Sequence, residues 1–425
     1  MEASWRHRAE TGDPFLLAFL GAASGLLAGL VILAFRLTIE FTQMAFLPEG
    51  KVGNYEALSP MWRLYLALGG GIFLGAVFQR LPGDMHQVGI VHVLHQLFYR
   101  AGAMPLRNAI VQFLGGSFAI ITGQSVDREG PGVHLGAAAG SLIGQRLGLP
   151  PKVLRHLIAC GSAAAIAAAF NTPLAGVVFS MEVIMMEYRV ATFLPVILAA
   201  VIGAILSEAV YGSAPAFEVP SLALYSLKEL PYLFLMGILI GLLATFFIAL
   251  VEGSAALAQR QPVFLRLAAS GLLTGLVALS IPEVMGVSYD TLDRILHQPT
   301  LDGTLILVAL AKLVTTAVAV GLGMPGGLIG PTLVIGGAAG AAFGNALAAL
   351  SPFSVTVSPF YAMAGMVAMM GATLQAPLAA LIALLEMTAS PGIILPAMLA
   401  VIPAQLILRY FGKEPVFTAL LELRR

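Results

Sequence analysis

The chain has 425 residues, 22 of them Lys or Arg and 22 Asp or Glu, so its formal net charge is zero. Only 10% of residues are charged and 59% are apolar, against about 25% charged in a soluble domain. That is too little charge to cover a water-soluble protein of this size, and it points to an all-α polytopic membrane protein. Neutrality excludes the basic footprint of a nucleic-acid binder, and a single cysteine, Cys160, excludes a disulfide framework and any Cys-based metal cluster.

Residues 1–14 are polar and carry Arg6 and Arg8. They are expected as a short cytoplasmic segment, and Arg424 and Arg425 place the other terminus on the same side. Phe15 to Phe35 runs without a charge and is long enough to span. Its apolar core is too long for a secretory signal. Apolar stretches follow at about 62–79, 108–126, 156–181, 190–206, 230–251, 264–282, 303–323, 328–350, 359–385 and 391–408. Several have room for two elements, so more than ten helical segments are expected, many too short to cross. No hydrophilic block is large enough to be a further domain, and residues 421–425 are read as a tail.

Two segments repeat. GPGVHLGAAAGSLIG at 130–144 matches GPTLVIGGAAGAAFG at 330–344, an offset of 200. Asn171-Thr-Pro-Leu-Ala followed by Glu182 matches Gln375-Ala-Pro-Leu-Ala followed by Glu386, an offset of 204. Two ordered matches at nearly one offset imply two structural repeats, at about 15–212 and about 225–420. In each, Gly-Pro opens a Gly/Ala-rich helix. Proline suits the first helical turn, and glycine lets the backbone approach a ligand closely. A helix that starts this way inside a bilayer points N–H groups and partial positive charge at what lies ahead, which a small anion would satisfy. Glycines every fourth residue (Gly21, Gly25 and Gly29; Gly136 to Gly148; Gly336 to Gly344) read as close helix packing.

Few ionisable residues sit in apolar context, where they are functional candidates. Glu129 lies directly before Gly130-Pro131, where an anion would bind. Ionised, it would compete with a permeant anion for the same N–H groups; protonated, it would release them. The competing reading is a capping carboxylate paired with Arg128. Glu182 and Glu386 hold matching repeat positions and read as structural. Lys312 could attract anions, or snorkel, or pair. His134 reads as a packed, hydrogen-bonded residue. His86, His92 and His95 lack the further ligands of a metal set, so no metal and no cofactor is expected. His-Glu-x-x-His, Gly-x-Ser-x-Gly and a Walker loop are all absent, which argues against an enzyme.

These motifs resemble those of the CLC family of chloride channels and chloride/proton antiporters, in its bacterial form without CBS domains. Arg128-Glu129-Gly130-Pro131 matches the family's Gly-Arg-Glu-Gly-Pro motif, with Asp127 in place of the leading glycine. Gly326-Gly327-Leu328-Ile329-Gly330-Pro331 is similar to Gly-Gly-Ile-Phe-x-Pro. Ala167 to Gly176 matches its Phe-Asn-x-Pro-Leu-Ala-Gly segment, and Pro377-Leu378-Ala379 with Leu385-Glu386-Met387-Thr388 its late helices. The resemblance spans roughly 15–420. It implies two inverted-topology repeats of tilted and broken helices, and a homodimer with one anion path per subunit, set in a bacterial inner membrane.

The resemblance also implies site residues. Glu129 would be the gate and proton carrier. Val88, Gly89, Ile90, Arg128, Gly130, Leu328, Ile329, Gly330 and Phe417 would line the anion site. Val88 replaces the family's serine, Phe417 its tyrosine, and Val183 the inner proton-transfer glutamate of typical antiporters. The implied function is transport of chloride with exchange of protons. A passive chloride channel is one alternative, motivated by Val183. A fluoride- or nitrate-preferring transporter is another, motivated by the lost hydroxyls.

Overall fold

Helices account for nearly all the regular structure in the computed structural model, which describes residues 13–188, 190–217, 219, 224–297, 303–351 and 354–423. Arg6, Arg8, Arg424 and Arg425 therefore lie outside the described residues. In chain order the helices are α1 (Pro14–Phe46), α2 (Pro60–Arg80), α3 (Gly89–Tyr99), α4 (Leu106–Ile121), α5 (Glu129–Arg146), α6 (Pro151–Phe170), α7 (Pro173–Phe179), α8 (Val190–Tyr211) and α9 (Leu230–Ala258). They continue with α10 (Val263–Ala278), α11 (Tyr289–His297), α12 (Thr304–Leu322), α13 (Ile329–Leu350), α14 (Ser358–Leu374), α15 (Pro377–Thr388), α16 (Ile394–Tyr410) and α17 (Val416–Leu423). Among the described residues, 8 helices are long and apolar enough to cross a membrane. Large side chains such as Phe15, Phe19, Trp62, Leu114 and Leu395 stay exposed on helix faces. Water would penalise such faces, whereas lipid accepts them.

Where helices end follows from local chemistry. Asp13 caps α1, its Oδ1 accepting from the N–H of Phe15 at 3.0 Å and Leu16 at 3.3 Å. The helix then runs past Phe35, where the charge-free stretch stops. Arg36 does not end it, because the guanidinium is buried: Nη1 donates to the Ala168 carbonyl at 3.0 Å and Ser207 Oγ at 3.3 Å, and the group lies 3.6 Å over the Tyr211 ring. The apolar runs at 156–181 and 359–385 each split in two. Asn171 and Gln375 take left-handed φ of 59° and 51°, and Pro173 and Pro377 then open the next helix.

The chain falls into two compact units. One comprises the chain up to Thr38, Pro82–Ser117 and Arg128–Ala216; the other comprises Ile39–Leu81, Phe118–Asp127 and the chain from Phe217 onward. In the first, α6 is central and almost wholly buried. It packs on α5, where Gly136 faces the Gly161 carbonyl and Gly140 that of Leu157. Gly21 and Gly25 set α1 against Pro195 and Ala199 of α8. In the second, α14 is buried throughout and packs on α13, with Gly336 facing the Gly365 carbonyl and Gly340 that of Tyr361. These glycines act as packing residues, because any side chain would strike a backbone carbonyl. Gly148 is the exception. It lies beyond the end of α5 at φ 62°, turning the chain rather than packing a helix.

The backbone repeats locally at the offset read from sequence. Gly123 and Gly323 both take positive φ (70° and 91°) after a helix. Gln124 N–H donates to Ala119 O at 3.0 Å, and Met324 N–H to Ala319 O at 2.9 Å. Gly132 N–H donates to Arg128 O at 2.9 Å, and Thr332 N–H to Leu328 O at 3.0 Å. Each Gly-Pro helix is thus preceded by the same glycine-ended turn.

Candidate functional site

In the first unit the special helix is α5. Glu129 is its first residue, Gly130 its second and Pro131 its third. First-turn N–H groups have no intrahelical acceptor, and Pro131 has none to offer. Glu129 is fully buried. Its Oε1 lies 3.5 Å from Nε of Arg128, whose side chain is largely buried too. A carboxylate at this position gains from the helix dipole and from the guanidinium. The geometry holds both features read from sequence: the charge stands at the helix mouth, and it is paired with Arg128.

Val88, Gly89 and Ile90 begin α3 in the same unit. Val88 is the N-cap and is buried with Ile90. Gly89 has φ 76°, a conformation that disfavours a side chain, and its N–H donates to Gln112 Oε1 at 2.6 Å. Helices α3 and α5 are tied by a buried chain: Gln96 Nε2 lies 2.7 Å from His92 Nε2, and His92 Nδ1 lies 2.8 Å from His134 Nε2. His134 is thus the packed, hydrogen-bonded residue expected, with His92 as its partner.

In the second unit α13 opens at Ile329, with Leu328 as N-cap. Leu328 and Ile329 are buried, and their N–H groups belong to the turn without intrahelical acceptors. The next N–H, that of Gly330, donates to Oδ2 of Asp127 at 2.7 Å. Asp127 is itself held by a two-way backbone bridge to Gly327, 3.1 Å in each direction. The Gly330 N–H, expected to face the anion, is therefore taken by a carboxylate. This contact joins residues 203 apart in sequence, so spacing gave no signal for it.

Below that turn, Lys312 of α12 is fully buried. Its Nζ donates to Val284 O at 3.0 Å, Gly286 O at 2.6 Å and Ser288 Oγ at 2.7 Å. All three ammonium donors serve the 284–288 loop, so the lysine neither snorkels nor presents an open charge. That loop backs onto α13: a methyl group at Gly330 would lie 2.8 Å from Val287 Cγ1 and 2.9 Å from the Tyr289 hydroxyl.

The remaining candidates are placed as follows. Phe417 is buried on α17, which packs on α9 and α14 and brings no hydroxyl. Val183 is buried in a π-helical turn, Ser180–Met185, that ends at Met186 with φ 53°. π turns often mark functional positions, but valine has no proton to give.

A family model described as "Voltage gated chloride channel" matches residues 70–409. The chain is 32% identical to a "Putative chloride channel protein ClcB-like" of Ralstonia nicotianae, covering 96% of this chain and 97% of that one. It is 28% identical to an "H(+)/Cl(-) exchange transporter ClcA" of Vibrio campbellii, covering 97% of this chain and 91% of the relative. The fold is similar to that of a slow cyanobacterial Cl-/H+ antiporter, with a TM-score of 0.83, 23% identity, and coverage of 96% and 98%.

Proposed function

The chain belongs to the voltage-gated chloride channel (CLC) family, and from that premise we propose that it carries chloride across the membrane in exchange for protons, with Glu129 as gate and proton carrier. Family membership makes it an integral, multi-pass, all-helical anion transport protein and not an enzyme. The observation that carries the finer reading is the fully buried Glu129 carboxylate in the first turn of a Gly-Pro helix. There the charged form occupies the polar end that a permeant anion would use. Protonation removes the charge and the competition together, so each release of the site costs one proton. Exchange transporters among its relatives support the coupling.

Backbone donors are the anion-holding groups that each unit offers by itself: Leu328 and Ile329 at α13 in the second, Arg128 to Gly130 at α5 in the first. Val88 of the first unit and Phe417 of the second bring no hydroxyl, so binding is weaker than with a serine and a tyrosine. We propose a homodimer with one pathway per subunit.

A passive channel is the second reading, favoured by the buried, non-titratable Val183. Purified protein in liposomes separates the two. Under an outward chloride gradient and no proton gradient, an exchanger moves protons inward as chloride leaves, with a constant ratio. A channel moves chloride alone once the membrane voltage is clamped by a potassium ionophore. Running the assay with fluoride and nitrate tests the anion: faster fluoride than chloride turnover would replace chloride as substrate.

A further inference from the structure

We propose that the cleft between α1, α4 and α5 seats one acyl chain of an anionic phospholipid, with the headgroup phosphate on Arg146. The site lies wholly within the first unit and does not depend on the transport reading.

The cleft follows from how α4 is held. Its amino end is tied to the last turns of α5: Ser141 Oγ donates to Gly102 O at 2.6 Å and accepts from the Met104 N–H at 3.0 Å, and Gln145 Nε2 donates to Met104 O at 2.9 Å. Further along, the backbone of α4 stands away from α1 and α5. Side chains bridge the gap only in part, as in the edge contact of Phe35 and Phe113, whose ring centroids lie 5.5 Å apart. Ala109, Ala138 and Ala139 are too short to fill the rest, and a cavity of about 490 Å³ remains. Its rim carries the exposed side chains of Leu27, Ile110 and Leu114.

Length and charge select the occupant. Leu135, Ala138, Ala139, Leu142 and Arg146 form one face of α5, turned away from the glycines that pack on α6. At about 1.5 Å per residue, Leu135 to Arg146 spans roughly 16 Å. That is the depth of one leaflet in a hydrocarbon core about 30 Å thick. The deep end is apolar. The other end is Arg146, exposed in the last turn of α5. Among the described residues its guanidinium makes no hydrogen bond and no ion pair. The acids of this edge are engaged. Asp84 lies 3.9 Å from Arg107, the neighbour of Leu106 at the head of α4, and Asp13 caps α1. An apolar slot one leaflet deep with an available cation at its mouth fits a lipid whose headgroup is negative overall. A zwitterionic headgroup would bring its own cation against Arg146.

The test is native mass spectrometry of the purified full chain with added phosphatidylglycerol or phosphatidylcholine of the same acyl chains. Wild type, Arg146→Gln and Ala139→Phe are compared. Wild type should retain one phosphatidylglycerol per chain, preferred over phosphatidylcholine by about fivefold, the worth of one basic residue beside an anionic lipid. Arg146→Gln should lose the preference and keep its melting temperature. Ala139→Phe fills the slot and should retain neither lipid. Melting temperature should rise with phosphatidylglycerol in wild type and not in Ala139→Phe. Equal retention of both lipids by wild type, an unchanged preference in Arg146→Gln, or full retention by Ala139→Phe would each overturn the proposal. So would a lipid-free wild-type dimer that Ala139→Phe dissociates, since the cleft would then hold a second copy of the chain. Should Ala139→Phe not fold, Ala109→Phe fills the slot from α4 and is read the same way.

Discussion

Replacing Lys312 by methionine removes the ammonium and keeps the length of the side chain. The structure sets the size of the effect. Nζ makes three hydrogen bonds, at 3.0, 2.6 and 2.7 Å, and no part of the side chain reaches solvent. Ser288 Oγ still donates to the Glu283 and Met285 carbonyls, so its loss is small. Val284 O and Gly286 O lose the ammonium and stay buried, at about 1–3 kcal/mol for each unmet acceptor. Against this stands the desolvation cost of the ammonium, which methionine avoids and which amounts to several kcal/mol. The two roughly cancel, and what decides the sign is the buried Asp127 carboxylate, which loses the opposite charge near it, so the net is a loss of roughly 2–4 kcal/mol. Because the 284–288 loop backs onto Gly330, the amino end of α13 loosens with it. Thermal unfolding of the purified protein in detergent measures the loss, and Ser288→Ala serves as the milder control at about 1 kcal/mol. A Lys312→Met protein as stable as wild type, but with chloride flux reduced tenfold, would rule out the anchoring role. The lysine would then act on the anion through its charge and not as an anchor.

Two further outcomes follow from packing and charge. Gly136→Val drives a side chain into the Gly161 carbonyl and separates α5 from α6, at a cost of about 3 kcal/mol; the loss should appear as a lower melting temperature and poor yield, while Gly148→Ala, beyond the helix end, should strain only the turn. Glu56 lies in the connection between α1 and α2, where burial, then the charge of Asp290, lifts its carboxyl above the ordinary range against the pull of Arg294. The folded state therefore holds that proton more tightly than the unfolded one, and stability falls as pH rises from the ordinary carboxylate value through the raised one. Melting temperatures across pH should show this slope in wild type and not in Glu56→Gln.

The pattern of helices was legible because lipid demands long apolar runs, and the Gly-Pro repeats marked both special helices. The breaks at Asn171 and Gln375 were foreshadowed by the following prolines and by runs long enough for two elements. The true end of α1 was not legible. Arg36 ends an uncharged run in sequence, but its partners Ala168 and Ser207 are more than 130 residues away. Lys312 was ambiguous for the same reason: its acceptors are loop carbonyls, which every residue has. Asp127 showed only as a substituted glycine. Its bond to Gly330 depends on how the chain folds back, and no local pattern encodes that.

In the proposed mechanism one buried carboxylate, Glu129, both gates the anion and carries the proton. Its most direct test is uphill proton movement driven by a chloride gradient in liposomes, compared between wild type and Glu129→Gln. Wild type should drive protons against their gradient, and Glu129→Gln should keep chloride flux while proton movement stops. Proton pumping by Glu129→Gln at the wild-type ratio to chloride would contradict the account.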